Sequence, residues 1–373
     1  MKSADTGAVR EFNAALTLRA LFDSDAPLTK TRLHEITGLS RRTLDFILAD
    51  QLATGWAREA VVASPTAGAG RPPRGYVFHA ANTLIAGVHI DHHEVRAVVA
   101  DTRGEELGEC RRSVANWANP RLTLAEAAAA LHAAADDGGV SIDAVRAAGI
   151  AVGGVVDGTG RIISTYEGPG WAGVDVAGAF ASHIDGAVIV DNDVNLAAIA
   201  EHWKGAAADQ SSFVWLLAGS RTRAGIVIDG RAFRGARSAA GESVDGDGFN
   251  TREMRLNEIG GLSSPVAAER EAATLVLRRA ESGDSAALRI VDDFASSASV
   301  LVRALTWVVD PPLVVLGGGI ERAAALLVPR IEAAFAERAL PPIEIRPSAL
   351  GWDAPLLGAL RVAQEHAKGV IFG

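Results

Sequence analysis

Cysteine is nearly absent, with Cys110 standing alone in 373 residues. A single thiol excludes an intramolecular disulfide and any cysteine-based zinc cluster. No apolar run approaches the ~20 residues that a membrane-spanning helix needs. The opening stretch MKSADTGAVREF also lacks the apolar segment of a secretion leader. The expectation is a cytoplasmic protein with no membrane partner. Positive charge is scarce outside one region of a chain whose net charge is −9. Residues 1–80 carry ten Lys/Arg against eight Asp/Glu, whereas the remainder carries 26 against 37. A slightly basic head on an acidic body suggests that only the head meets a polyanion. Nearly half the residues are apolar, so a chain of this length can bury a substantial core and divide into two or three domains.

Three helical patterns fill the first part of that head. AVREFNAALTLRALFDSDAP places Val9, Phe12, Leu16 and Leu21 at helical spacing and stops at a proline. TKTRLHEITG follows, with Thr29 as its cap and Gly38 at its end. LSRRTLDFILADQLATGW then offers Ser40 as N-cap and a stripe of Leu44, Ile47, Leu48 and Leu52. Two short helices around a tight glycine-containing turn read as a helix-turn-helix, whose second helix enters the major groove. Ser40, Arg41, Arg42, Thr43, Asp45 and Phe46 lie at the end of that helix which reaches phosphates and base edges. A plain packing module with a solvated arginine pair would share this pattern. The continuation favours DNA: AREAVVA and RPPRGYVFHA read as two strands around a loop, a wing that presents Arg71 and Arg74 on a proline-stiffened backbone.

From residue 81 onward, strands alternate with helices, the pattern of an α/β body with mixed sheets. Sheet systems on either side of Asp193 suggest two lobes with a cleft between them. GRPP in the wing, AGIAVGGVVDGTG, GWAGVDVAGAF, VDNDVNLAAIAEHW, AGIVIDGRAFRGARSAAGE, VVLGGGI and PLLGAL follow in order along the chain. This series resembles the ROK family of repressors, open reading frames and sugar kinases, over essentially the whole chain. The resemblance implies a winged helix-turn-helix followed by a two-lobed, actin-like sugar-kinase ATPase fold. The expected division is a DNA-binding head at 1–80, a small lobe at 81–191 completed by a C-terminal helix at about 355–373, and a large lobe at 192–354 for effector binding and dimerisation.

The kinases of the family hold nucleotide phosphates in two glycine-rich hairpins, because phosphates approach that backbone too closely for side chains. Where the first reads Asp-x-Gly-Gly-Thr, this chain has Asp91-His92-His93-Glu94-Val95. Where the second reads Gly-Thr-Gly-x-Gly-x-Gly, it has Gly219-Ser220-Arg221-Thr222-Arg223-Ala224-Gly225. Arginines at left-handed or close-approach positions would each cost about 1–2 kcal/mol in backbone strain. They are expected to lie on the surface or to pair with nearby carboxylates such as Asp229; direct capture of an anion such as a phosphorylated sugar is the other reading.

Asn192-Asp193 matches the family pair whose Asp serves as catalytic base in the kinases and whose members also bind sugar hydroxyls. The two can equally cap the helix that begins near Val194. Glu242 matches a sugar-binding Glu, and Asp245 replaces a His that binds sugar and zinc. GDGFNTREMRLNEIGG replaces the Cys-rich knuckle, so the zinc site is lost. Glu258 stands near the place of a second sugar-binding Glu. Glu167 replaces an Asn just before Gly-Trp, while Trp171 is kept. His92 and His93, as neighbours on a strand, would point to opposite faces and not share a metal. Together these readings predict a DNA-binding regulator, a repressor, with no cofactor, no metal and no kinase activity. Its partners would be a double-stranded operator, a carbohydrate-like effector bound by Glu167, Asn192, Asp193, Glu242, Asp245 and Glu258, and further copies of itself in a homodimer or homotetramer. An ATP-dependent sugar kinase and an effector-independent DNA-binding protein are the alternatives.

Overall fold

Helix caps written into the first sixty residues set the geometry of the head. The computed structural model describes residues 6–62, 74–165, 168–242, 251–337 and 342–373. Helix α1 (Thr6–Phe22) leads to α2 (Lys30–Thr37), where the Thr29 hydroxyl accepts the amide of Arg32 and Gly38 closes the turn at φ 70°. Helix α3 (Arg41–Ala53) starts at Ser40, whose hydroxyl accepts the amide of Thr43 at 3.1 Å. Strands β1 (Ala57–Val61) and β2 (Arg74–Phe78) pair antiparallel, and Leu28 bridges to Tyr76 beside them. Leu18, Leu21, Leu33, Leu44 and Leu48 form the core of this unit with Tyr76 and Phe78. Val9 and Phe12, which share helical spacing with these residues, are exposed, so only the second half of α1 packs.

The body contains two five-stranded sheets of the same design. In the first, β3 (Leu84–Ile90), β4 (Glu94–Asp101) and β5 (Glu106–Ser113) form an antiparallel meander followed by α4 (Pro120–Asp137). Strand β6 (Val145–Val152) returns parallel to β3; a small hairpin, β7 (Val155–Val156) and β8 (Ile162–Ser164), and the short α5 (Val176–Phe180) precede β9 (Ala187–Asn192), parallel to β6. The order is β5-β4-β3-β6-β9. After α6 (Asp193–Lys204), the second sheet repeats this design with β10 (Phe213–Leu217), β11 (Arg223–Ile228) and β12 (Arg231–Ala232). Helices α7 (Thr251–Leu256), α8 (Ala267–Glu281) and α9 (Ser285–Val309) lead to β13 (Leu313–Gly317), then α10 (Ala324–Ala336) and β14 (Glu344–Pro347). The order is β12-β11-β10-β13-β14, again a meander flanked by two parallel strands. Strands so enclosed are apolar nearly throughout, as LIAGVHI and FVWLL show.

The last helix, α11 (Ala354–Phe372), lies on the first sheet. Gly87 and Gly149 are paired neighbours on β3 and β6, and a Cβ at either would meet α11 backbone, at 3.0 Å from Leu356 O and 1.9 Å from Ala359 O. Bare Cα positions on the sheet therefore let the helix sit against it. Its far end leaves the sheet and enters the head: Ile371 and Phe372 pack on the head core, and the Phe372 ring meets Phe22 edge-on at 5.3 Å. Arg103 adds a second tie, donating to the carbonyls of Leu21 and Ser24 and standing over the Phe22 ring. Phe372→Ala should therefore lower the stability of the head by about 2–3 kcal/mol. Urea unfolding followed by a head-specific probe checks this, with the transition of the body unchanged.

Candidate functional site

Strand β9 ends at the cleft in three consecutive polar residues, Asp191, Asn192 and Asp193, all buried. Asn192 is the N-cap of α6, its Oδ1 accepting the amides of Val194 (2.9 Å) and Asn195 (3.4 Å). Its Nδ2 donates to Gly154 O (2.7 Å) and to Glu242 Oε1 (2.9 Å). The capping role and the contact with Glu242 thus coexist in one side chain. Asp193 opens the helix, where a carboxylate suits the positive end of the dipole. One of its oxygens accepts the Val194 amide and faces Arg223 Nη1 at 3.4 Å.

The two arginines of the second hairpin point into the cleft. Arg221 donates to Asp91 Oδ1 at 3.0 Å, tying the β10–β11 turn to the β3–β4 turn of the other lobe. Arg223, 4% exposed, pairs with Asp193. Asp229 receives neither; it lies in the next turn, its own amide bonded to Ser212. Nor do the arginines carry backbone strain, since among described non-glycine residues only Asp229, Ser238 and Asp310 have positive φ. The glycines that remain are held by packing. A Cβ on Gly219 would lie 2.5 Å from Gly260 O, and one on Gly225 would lie 2.3 Å from Val194 O. A third arginine, Arg234, grips Asp191 through Nε (2.8 Å) and Nη2 (2.5 Å). Nothing in the sequence reading singled it out.

Charge in this cluster is strongly organised. Burial pushes the Asp91 carboxyl up, but Arg221, with His92 and His89, holds it well below the ordinary carboxylate range. Burial pushes the His89 imidazole down, against the pull of Asp91 and Asp193. Between Asp193, Arg221, Trp215 and Trp352 the enclosed space shrinks to about 20 Å³. With the side chains so placed, that is room for roughly one water molecule.

Of the residues predicted to bind an effector, Asn192, Asp193 and Glu242 come together. Glu258 is exposed at the start of a short 3₁₀ segment and, among the described residues, forms no hydrogen bond or ion pair. Glu167 and Asp245 lie outside the described residues. Trp171 is fully buried, stacked at 4.4 Å on Trp117, and so forms part of the lobe core. His92 and His93 belong to a turn, not a strand; the His92 ring packs on Trp117, and no cluster with metal-binding spacing occurs among the described residues.

In the head, Arg41, Arg42 and Phe46 project from the first turns of α3 into solvent. Ser40 and Thr43 are joined by the capping bonds. Asp45 pairs with Lys30 on the preceding helix, and Arg74 pairs with Glu59 across the wing at 3.0 Å. Arg71 lies outside the described residues.

A winged helix-turn-helix joined to two lobes of matching topology that close on a cleft defines the actin-like class of fold seen in sugar kinases and related regulators. A crystal structure of a ROK family transcriptional regulator, a homologue of the E. coli MLC protein, superposes with a TM-score of 0.71 at 18% identity over 97% of this chain and 98% of that one. The ROK family glucokinase from Streptomyces griseus, in complex with glucose and AMPPNP, gives 0.62 at 21% identity, over 76% of this chain and 99% of that one. The ROK family model matches residues 85–243 and 259–366, and the chain belongs to the ROK family. It is 21% identical to the xylose repressor of Bacillus subtilis over the full length of both proteins. It is 34% identical to the bifunctional enzyme NanE/NanK of Brucella melitensis over 185 residues, 48% of this chain and 36% of that protein.

Removing Arg223 strands a buried carboxylate, so Arg223→Ala should cost about 3–5 kcal/mol, with much of it restored in the double variant R223A/D193N. Chemical denaturation of both variants checks this coupling. For Asp91, the lowered pKa in the fold means its stabilisation is complete above the unfolded carboxylate range and is lost as pH falls through the folded value. The stability gap between the wild type and Asp91→Asn should be full above about pH 5 and shrink below about pH 4. Urea midpoints taken from pH 6 to pH 2 measure it.

Proposed function

We propose that this chain is a sugar-responsive DNA-binding repressor that has no sugar kinase activity. The carrying observation is the occupancy of the cleft: Arg221 and Arg223 fill the space between the hairpins and engage Asp91 and Asp193. A base already facing a guanidinium, in a space with room for roughly one water molecule, has no phosphoryl donor to work with. The full-length likeness to proteins named xylose repressors supports the same reading, whereas the NanE/NanK likeness covers about half of this chain.

In this reading, residues 1–80 form the operator-binding head, 81–191 with the C-terminal helix at about 355–373 form the small lobe, and 192–354 form the large lobe. Arg41, Arg42 and Phe46 on α3 face the major groove, with the wing alongside. Glu242 and Asp193 present carboxylate oxygens to ligand hydroxyls, and Asn192 holds Glu242 in place. A carboxylate-rich pocket suits a neutral or amino-bearing sugar better than a sugar acid. The protein works in the cytoplasm as a homodimer on a two-fold-symmetric operator. Effector binding changes the angle between the lobes, and the packing of α11 in the head carries that change to the DNA-binding helices.

Genomic fragments captured by the full chain supply the operator, and fluorescence anisotropy on that operator tests the head. Arg41→Ala with Arg42→Ala should weaken binding at least about tenfold and reduce its salt dependence, with the melting temperature unchanged. A sugar panel should contain a compound that shifts operator affinity while giving no sugar-dependent ATP turnover in a coupled assay. Turnover would replace the regulator reading with a kinase, and no response to any sugar would favour an effector-independent protein.

A further inference from the structure

Beside the first hairpin, the two lobes border a second, larger and half-open cavity of about 590 Å³. Its floor is a row of basic residues on three neighbouring strands. His89 on β3 stands opposite Arg96 on β4, and Arg96 stands directly opposite Arg111 on β5. Like charges directly opposite on one face of a sheet repel each other, and this pair lines the cavity. Arg96 is 9% exposed, and its Nε is buried with no hydrogen-bond partner. The facing lobe contributes Arg270 and the start of α8, whose N-cap residue Val266 offers no side-chain acceptor to the first-turn amides.

The acids in the cavity do not cancel this charge. Asp91 is held by Arg221, and Asp353 is held by Arg96 Nη1 at 2.5 Å. Glu94 is half-exposed, with its nearest oxygen 3.9 Å from Arg96 Nε. Arg111 has no partner among the described residues. Arg270 donates to the carbonyls of Ser264 and Pro265, not to a carboxylate, and stands 5.5 Å from the centre of the Trp352 ring. Glu269, the acid of the first turn of α8, bonds the Ser264 hydroxyl and does not line the cavity. Two guanidiniums without carboxylates and an open helix start thus share the cavity with one half-exposed Glu94, beside an orphaned buried N–H.

We propose that this cavity binds a small phosphate monoester, its dianionic head between Arg96, Arg111 and Arg270 and its organic body against Trp352. Guanidinium forks match phosphate oxygens in charge and geometry, and the open amides of a helix start favour the same ligand. A neutral sugar would leave Arg111 and Arg270 uncompensated. Bridging Arg111 on one lobe to Arg270 on the other, the ligand favours the closed cleft, and it does so whether or not a sugar binds at Glu242.

Isothermal titration of the full chain at low salt with inorganic phosphate and with phenyl phosphate tests the site. Saturable one-to-one binding is expected, tighter for phenyl phosphate. Arg111→Ala, at an exposed strand position, and Arg270→Met should each weaken both ligands at least about tenfold. Trp352→Leu should remove the preference for phenyl phosphate and keep phosphate binding. Absence of saturable binding to the folded wild type up to about 10 mM, a weak limit for a specific site, overturns the proposal. So does binding that both arginine variants leave unchanged, with circular dichroism confirming that each is folded.

Discussion

Three arginines of the β10–β12 region each hold an aspartate at the cleft: Arg221 on Asp91 and Arg234 on Asp191 across it, and Arg223 on Asp193 at the start of α6. The aspartates stand at the ends of β3 and β9 or at the start of α6, where actin-like folds gather their chemistry. Buried carboxylates need cations or hydrogen bonds, because desolvation of an unpaired charge costs several kcal/mol. In an active kinase of this design, the metal ion that accompanies the nucleotide would bring positive charge to this cleft. In this chain the protein supplies it covalently, and lobe contact no longer depends on a diffusible partner.

Local signals made the head legible. Thr29, Gly38 and Ser40 act through bonds to residues three or four positions away, so their spacing shows in the sequence. The two-lobed α/β character of the body followed from a run of ordered motifs, and the candidates Asn192 and Glu242 followed from the same motifs. What stayed hidden were partners far apart in sequence. Arg221 lies 130 residues from Asp91, and Asp229 was the nearer carboxylate in sequence but not in space. Trp117 beneath Trp171, and Arg234 beside Asp191, likewise carry no local signature.

The glycines of the second hairpin have a different meaning in the structure from the one their motif suggests. Gly219 and Gly225 persist where a side chain would strike the backbone of Gly260 or Val194. Arg221 and Arg223, between them, have ordinary backbone angles and side chains directed at carboxylates, so no glycine is required there. A partial glycine pattern therefore reports packing as readily as it reports ligand.

Helix α11 starts beside Trp352 and Asp353 at the cleft and finishes among the aromatic rings of the head. Its 19 residues span about 28 Å at 1.5 Å per residue. Pivoting such a rod by about 5° at the cleft would carry its tip about 2.5 Å, on the scale of one hydrogen bond. Two paired heads shifted in opposite senses would change their separation by twice that distance. A lever arm of this length makes the grip on a rigid duplex sensitive to displacements that, at the cleft itself, are smaller than a single bond.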